Sequence, residues 1–165
     1  MTKVIAFDVF GTVVDLSKAD HDEVRAYAHH IRKPEWSPLV LPPTWELLPA
    51  HPDSAEGIAR LRKKFFVVTC TNGPLGLIAK LSKNNGIQWD AIVPLELKRI
   101  FKPRAGAYMT VCEVLDVPPA EVMMVTANKD FGDLEASEAL GMTPRLIRGE
   151  SDVPTITALA DRLGC

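Results

Sequence analysis

The chain carries the sequence KVIAFDVFGT at residues 3–12. The apolar run from Val4 to Phe7 is typical of a strand that is buried in a parallel sheet. Asp8 ends this run, and Gly11 follows it as a turn residue. Ligands of open parallel sheets bind beyond the carboxyl ends of the strands. An aspartate at this position therefore predicts a functional carboxylate at the edge of an α/β sheet.

Similar apolar runs recur along the chain, with helical patterns between them. Further strands are predicted at residues 65–71, 91–94, 122–126 and 144–147. Asp53-Ser54 is predicted to cap a helix that carries Ile58, Leu61 and Phe65. Further helices are predicted from Leu75 through Leu81, before the stop Asn84-Asn85-Gly86, and at residues 105–115 and 133–140. Strands that alternate with helices indicate βαβ units and a mainly parallel sheet. The predicted fold is α/β, a three-layer Rossmann-like domain that spans residues 1–165.

Residues 16–52 interrupt this alternation. A polar helical stretch runs from Ser17 to about Arg32, and a proline-rich segment with Trp36 and Trp45 follows it. So many prolines exclude a long helix or a central strand there. The segment is interpreted as a short insertion, a minimal cap, that lies on the single domain.

Composition excludes several classes of protein. Of the 165 residues, 47% are hydrophobic and the formal net charge is −2, without a block of basic residues, so nucleic-acid binding is not expected. No apolar run approaches the roughly 20 residues of a membrane span, and no membrane partner is expected. Three cysteines without metal-ligand spacing favour a reduced, cytoplasmic chain.

Polar side chains follow several of the predicted strands. Asp8, Thr71 and Asn128 stand where strands end, and Lys102 follows the predicted strand at 91–94. A later acid, Asp130 or Asp133, completes the group, and the two compete for one role. The carboxyl ends of parallel strands share one edge of a sheet, so these side chains are expected to converge.

Four short motifs in this order resemble the haloacid dehalogenase-like hydrolase superfamily. They are Asp8-Val9-Phe10-Gly11-Thr12-Val13-Val14-Asp15, Thr71-Asn72-Gly73, Lys102-Pro103 with Tyr108, and Thr126-Ala127-Asn128 followed by Asp133. The resemblance covers about residues 1–15 and 53–148. It implies the catalytic set Asp8, Thr12, Thr71, Asn72, Lys102, Tyr108, Asn128 and Asp133.

Within the superfamily, the motifs resemble the L-2-haloacid dehalogenase branch. That branch has an aromatic residue where Phe10 stands, an asparagine where Asn128 stands, and no metal cofactor. The resemblance implies that Asp8 attacks the halogen-bearing carbon of a small-molecule substrate, and that water hydrolyses the aspartyl ester. Lys102 would keep Asp8 ionised, because a nearby cation lowers the pKa of a carboxyl group.

Two alternatives stay open. The first is a phosphatase that holds Mg²⁺ with Asp8, the Phe10 carbonyl and Asp133. In such phosphatases an aspartate that acts as general acid stands at the position of Phe10, and a carboxylate that binds the metal stands at the position of Asn128. The second, from another class, is a non-catalytic binding or regulatory protein. Residues 16–52 are too short for the large cap of the branch, so its arginine is missing. Arg25 and Arg32 are candidates to replace it, and a homodimer could complete the open site.

Overall fold

The computed structural model describes residues 1–165 and contains four strands. They are β1 (Val4–Phe7), β2 (Phe66–Thr69), β3 (Val122–Thr126) and β4 (Thr143–Leu146). All four run parallel in the order β2-β1-β3-β4, so β1 and β3 occupy the centre. Helices cover both faces of this sheet, which confirms the predicted three-layer α/β architecture.

Six α-helices connect the strands. They are α1 (His21–Ile31), α2 (Ser54–Leu61), α3 (Leu75–Asn84), α4 (Ala105–Leu115), α5 (Asp133–Ala139) and α6 (Ile156–Arg162). Short 3₁₀ turns occur at Leu16–Lys18, Pro43–Leu47, Leu95–Lys98 and Pro119–Glu121. None of the helices combines the length and apolarity that a transmembrane span requires.

Alternate residues of the central strand β1 face opposite layers, as the pleat of a strand requires. Ile5 and Phe7 belong to a core shared with α2, α3 and α6. Val4 and Ala6 belong to a second core shared with α4 and α5. Both faces of β1 are therefore buried, which explains its unbroken apolar sequence and leaves only its carboxyl end open to a ligand.

The insertion at residues 16–52 packs on the first of these cores. Its helix α1 begins after Asp20, whose carboxylate caps the amides of Asp22 and Glu23. Trp45 is 1% exposed, and its indole Nε1 donates to Glu23 Oε2 at 2.9 Å. A buried tryptophan thus joins the proline-rich part of the insertion to α1.

The predicted strand at residues 91–94 is wrong. Only an isolated bridge between Val68 and Ala91 forms there. Side chains replace the regular ladder, since Val67 N donates to Asp90 Oδ2 at 2.8 Å and Val93 N donates to Thr69 Oγ1 at 3.1 Å. The edge of β2 is consequently covered by a loop instead of a fifth strand.

The prediction for the second helix is right about its start and wrong about its end. Asp53 is the N-cap residue of α2, although its side chain does not bond to the first turn, and α2 ends at Leu61, before Phe65. Asp53 instead accepts bonds from the guanidinium of Arg148 at 2.9 and 3.1 Å and from Ile156 N at 2.7 Å. This distant pairing fastens α2 to α6, a helix that the sequence patterns did not predict.

Candidate active site

The Asp8 carboxylate lies at the carboxyl end of β1 and is 6% exposed. Its Oδ1 accepts a hydrogen bond from Lys102 Nζ at 2.8 Å. Its Oδ2 accepts from Thr12 Oγ1 and from Asn128 Nδ2, both at 2.7 Å. Side chains from three of the four motifs therefore meet on one carboxylate, as the sequence predicts.

The turn after Asp8 brings the Asn128 amide close. Gly11 has φ +88°, and a Cβ there would stand 3.1 Å from Asn128 Oδ1, so glycine satisfies both the backbone and the space. Asn128 Nδ2 lies 2.7 Å from Asp8 Oδ2 and 3.2 Å from the Phe10 carbonyl oxygen. Both neighbours are acceptors, so the atom between them must be the donor nitrogen.

Lys102 is 1% exposed and stands between two carboxylates. Its Nζ lies 2.8 Å from Asp8 Oδ1 and 3.1 Å from Asp133 Oδ1. Tyr108 donates to Asp133 Oδ1 at 2.6 Å, so it holds the second carboxylate from the other side. The Lys102 ammonium thus pairs with both Asp8 and Asp133 in a site that is almost closed to water.

Burial and charge set the protonation states of this group. Burial raises the pKa of Asp8, while Lys102 and its hydrogen bond oppose the rise. Burial alone would lower the pKa of Lys102, but Asp8 and Asp133 raise it well above its ordinary value. Burial and the Asp133 charge raise the pKa of Tyr108, so its hydroxyl keeps its proton and donates. Lys102 therefore remains a cation that stabilises the ionised form of Asp8.

The second motif contributes support instead of a contact with Asp8. Asn72 Oδ1 accepts from Lys102 N at 2.7 Å, and Asn72 Nδ2 donates to Lys102 O at 3.2 Å. These two hydrogen bonds to its backbone fix the position from which the Lys102 side chain reaches Asp8. Thr71 is buried, and its hydroxyl accepts from Gly73 N at 3.2 Å within its own turn.

Of the two later acids, the structure places Asp133 beside Lys102 and leaves Asp130 apart from it. Asp133 is 0% exposed and is the first residue of α5, beside Lys102 and Tyr108. Asp130 is exposed, and the N-cap of α5 is Gly132, so Asp130 does not cap that helix. Asp130 lies instead on the wall of the cavity above Asp8.

A cavity of about 400 Å³ opens onto Asp8. Its wall includes one face of α1, made of Val24, Tyr27, Ala28 and Ile31, and the guanidinium-bearing Arg32 follows at the end of that helix. Arg25, the other candidate cation, pairs with Asp22 on the surface. Sequence analysis missed Tyr27, although the spacing of these four residues, i, i+3, i+4 and i+7, is the signal of one helix face.

The residues proposed for Mg²⁺ do not form a metal site. The Asn128 amide nitrogen occupies the space between Asp8 Oδ2 and the Phe10 carbonyl, two of the three expected ligands. Asp133, the third, faces Lys102 and Tyr108. No group of three or more His, Cys, Asp or Glu side chains is arranged to hold a metal ion. The Lys102 ammonium and the Asn128 amide thus donate to the Asp8 carboxylate where a phosphatase would place a metal ion.

Comparison with known proteins agrees with this geometry. No protein-family profile matches the chain. An (S)-2-haloacid dehalogenase of Xanthobacter autotrophicus is 36% identical over 94 residues, which are 52% of this chain and 37% of that enzyme. A solved defluorinating L-2-haloacid dehalogenase superposes with a TM-score of 0.81 at 25% identity, over 99% of this chain and 96% of the other. In sequence and in fold, the chain is thus similar to L-2-haloacid dehalogenases.

Two structures of the Xanthobacter autotrophicus L-2-haloacid dehalogenase show the same fold as this chain. They superpose with TM-scores of 0.83 and 0.79 at 20% and 19% identity, each over 99% of both chains. The second of them has chloropropionic acid covalently bound. In sequence, the chain covers little more than a third of the length of the curated relative that it matches.

Proposed function

We propose that this protein is a hydrolase that removes halide from 2-haloacids through a covalent ester on Asp8. The observation that carries the proposal is the environment of Asp8, a buried carboxylate held by Lys102, Thr12 and Asn128 at the floor of a cavity. The similarity to L-2-haloacid dehalogenases supports the same chemistry.

In the first step, an Asp8 oxygen attacks C2 of the substrate. The new C–O bond forms as the carbon–halogen bond breaks, and the halide leaves with the bonding electron pair. Halide needs no proton, so the aromatic Phe10 in place of a general acid does not hinder this step. Thr12 and Asn128 hold the carboxylate on Oδ2, which limits its rotation away from the substrate.

In the second step, water attacks the carbonyl carbon of the Asp8 ester. Esterification removes the charge of Asp8, so Lys102 is left paired with Asp133 alone. We assign to Asp133 the acceptance of a proton from the water, with Tyr108 and Lys102 holding that carboxylate in place. Cleavage of the ester releases the 2-hydroxyacid and restores Asp8.

The substrate carboxylate needs a cationic partner, and Arg32 is the residue that we propose for it. Arg32 lies on the wall of the cavity, whereas Arg25 is engaged with Asp22 at the surface. A guanidinium presents a planar pair of donors that matches a carboxylate. In this short insertion, the arginine comes from the end of α1.

The experiment that tests the function compares halide release from 2-chloropropionate with phosphate release from p-nitrophenyl phosphate, each with Mg²⁺ and with EDTA. We expect halide release that EDTA leaves unchanged, and no phosphate release. Asp8→Asn should abolish the activity, while Asp116→Asn, at an exposed left-handed position that asparagine tolerates, should retain it. Mg²⁺-dependent phosphate release would favour the phosphatase, and no turnover of either substrate would favour a binding protein.

Two further predictions concern the setting of the enzyme. We propose that it works as a reduced, cytoplasmic protein, because all three of its cysteines are free and two of them are buried. We also propose that a second copy of the chain covers the open cavity. Analytical ultracentrifugation would detect the dimer, and a monomer at assay concentration would contradict it.

A further inference from the structure

The cavity above Asp8 is long and mostly apolar. The face of α1 that borders it runs from Val24 to Ile31 and ends at Arg32. With 1.5 Å of rise per residue, Val24 and Arg32 are about 12 Å apart along the helix axis. A cation thus marks one end of this wall and aliphatic side chains mark the other.

A second cavity of about 290 Å³ lies beside the aliphatic end. It is lined by Leu16, Ser17, Ala19, His21 and Val24. Leu16 and Val24 border both cavities, so the two cavities lie side by side at these two side chains. Leu16 and Val24 are also half-buried, so each presents a hydrophobic side chain at this junction.

A short haloacid leaves most of this space empty. A 2-halopropionate has about six non-hydrogen atoms, and at roughly 30 Å³ for each, the share of one water in the liquid, it fills about 180 Å³. The first cavity alone measures about 400 Å³. Apolar walls without an apolar occupant would remain hydrated, and covering them would favour a substrate that fills the space.

We propose that the substrate is a 2-haloacid with an extended apolar substituent on C2, and that Val24 determines how long this substituent can be. The inference rests on the proposed function, because it takes Asp8 as the nucleophile and Arg32 as the carboxylate partner. The substituent lies along α1 from Asp8 towards Leu16 and Val24 and enters the second cavity. Its recognition is hydrophobic, so it increases with each buried methylene.

The test measures kcat/KM for 2-chloropropionate, 2-chlorobutyrate, 2-chlorohexanoate and 2-chlorooctanoate. Each buried methylene should raise kcat/KM about fourfold, which gives about 60-fold between the propionate and the hexanoate. Val24→Phe closes the junction between the cavities and should lower this hexanoate-to-propionate ratio at least tenfold. Val114→Phe, the same substitution at a side chain that is 50% exposed on α4, should leave the ratio and the activity unchanged.

The outcomes separate the two proposals. A wild-type kcat/KM that is flat or falls with chain length would overturn this inference and leave the dehalogenase proposal standing, even if Val24→Phe failed to fold. A rise with chain length that Val24→Phe did not reduce would overturn the placement along α1. Failure to release halide from any of the four acids would refute the proposed function itself.

Discussion

Lys102→Met removes the one cation between two buried carboxylates. Lys102 Nζ is 2.8 Å from Asp8 and 3.1 Å from Asp133. At an effective dielectric constant of ~20, two unit charges separated by the shorter distance attract by about 6 kcal/mol. If only half of this energy is lost, the ratio of ionised to protonated Asp8 falls about 10²-fold, and if all is lost about 10⁴-fold. These factors are the upper limits of the loss in kcat/KM for 2-chloropropionate, and we expect the loss to be largest at acidic pH, where the protonated form of Asp8 predominates in the variant.

The pH dependence of Lys102→Met shows in which direction the pKa of Asp8 changes. Burial already raises the pKa of Asp8 and Lys102 opposes that rise, so the pKa must increase further when the lysine is lost. The acidic limb of the pH–rate profile should therefore move to higher pH, and raising the pH should recover part of the activity. Chloride release measured from pH 5 to 10 would show both the position of the acidic limb and the recovery of activity at high pH.

Two controls make this experiment decisive. Lys98→Met removes an exposed lysine whose pairing with Glu113 contributes little, and should behave as the wild type. Lys102→Met should also cost about 3–5 kcal/mol of stability, because it leaves unpaired charge in the interior. Lys102→Met/Asp133→Asn removes one of those charges and should recover stability but not activity. A Lys102→Met protein with activity within tenfold of the wild type and an unmoved acidic limb would refute the assigned role of the lysine.

Three other expectations follow from the same contacts. Single turnover in H₂¹⁸O should place the label in the Asp8 carboxylate, as mass spectrometry of its peptide would show, and label found first in the product would mean direct attack by water. Tyr108→Phe should lower the free energy of unfolding by about 1–3 kcal/mol in urea titrations, because buried Asp133 loses a donor; an unchanged value would contradict the 2.6 Å hydrogen bond. Although burial opposes it, Arg148 lowers the pKa of Asp53. The stability that Asp53 contributes is therefore fully present above pH 3.8, the pKa of an aspartate in the unfolded chain, and is lost as the pH falls below it. Asp53→Asn should lower the free energy of unfolding by about 1 kcal/mol at pH 7 and by much less at pH 3. An equal loss at both pH values would refute the ion pair between Asp53 and Arg148.

Local patterns in the sequence predicted most of the fold. Apolar runs placed β1, β2, β3 and β4 within two or three residues, because a strand buried on both faces must be apolar along its whole length. Pro118 and Gly141 marked the ends of α4 and α5, since such residues stop a helix locally. The strand predicted at 91–94 was wrong, because side chains of Asp90 and Thr69 replaced its pairing, and hydrophobic periodicity carries no information about such bonds.

The sequence by itself determined which residues meet at the candidate site. Asp8, Lys102 and Asn128 stand after predicted strands or in motifs of known order, and parallel strands bring their carboxyl ends to one edge. The tertiary structure decided which contacts form there. Asp133, and not Asp130, faces Lys102, and the Asn128 amide fills the space expected for a metal ion. It also decided that α1 lays an apolar face beside Asp8. Motif spacing is a property of neighbours along the chain, whereas these contacts depend on how distant segments pack, and packing is specified only when the whole chain has folded.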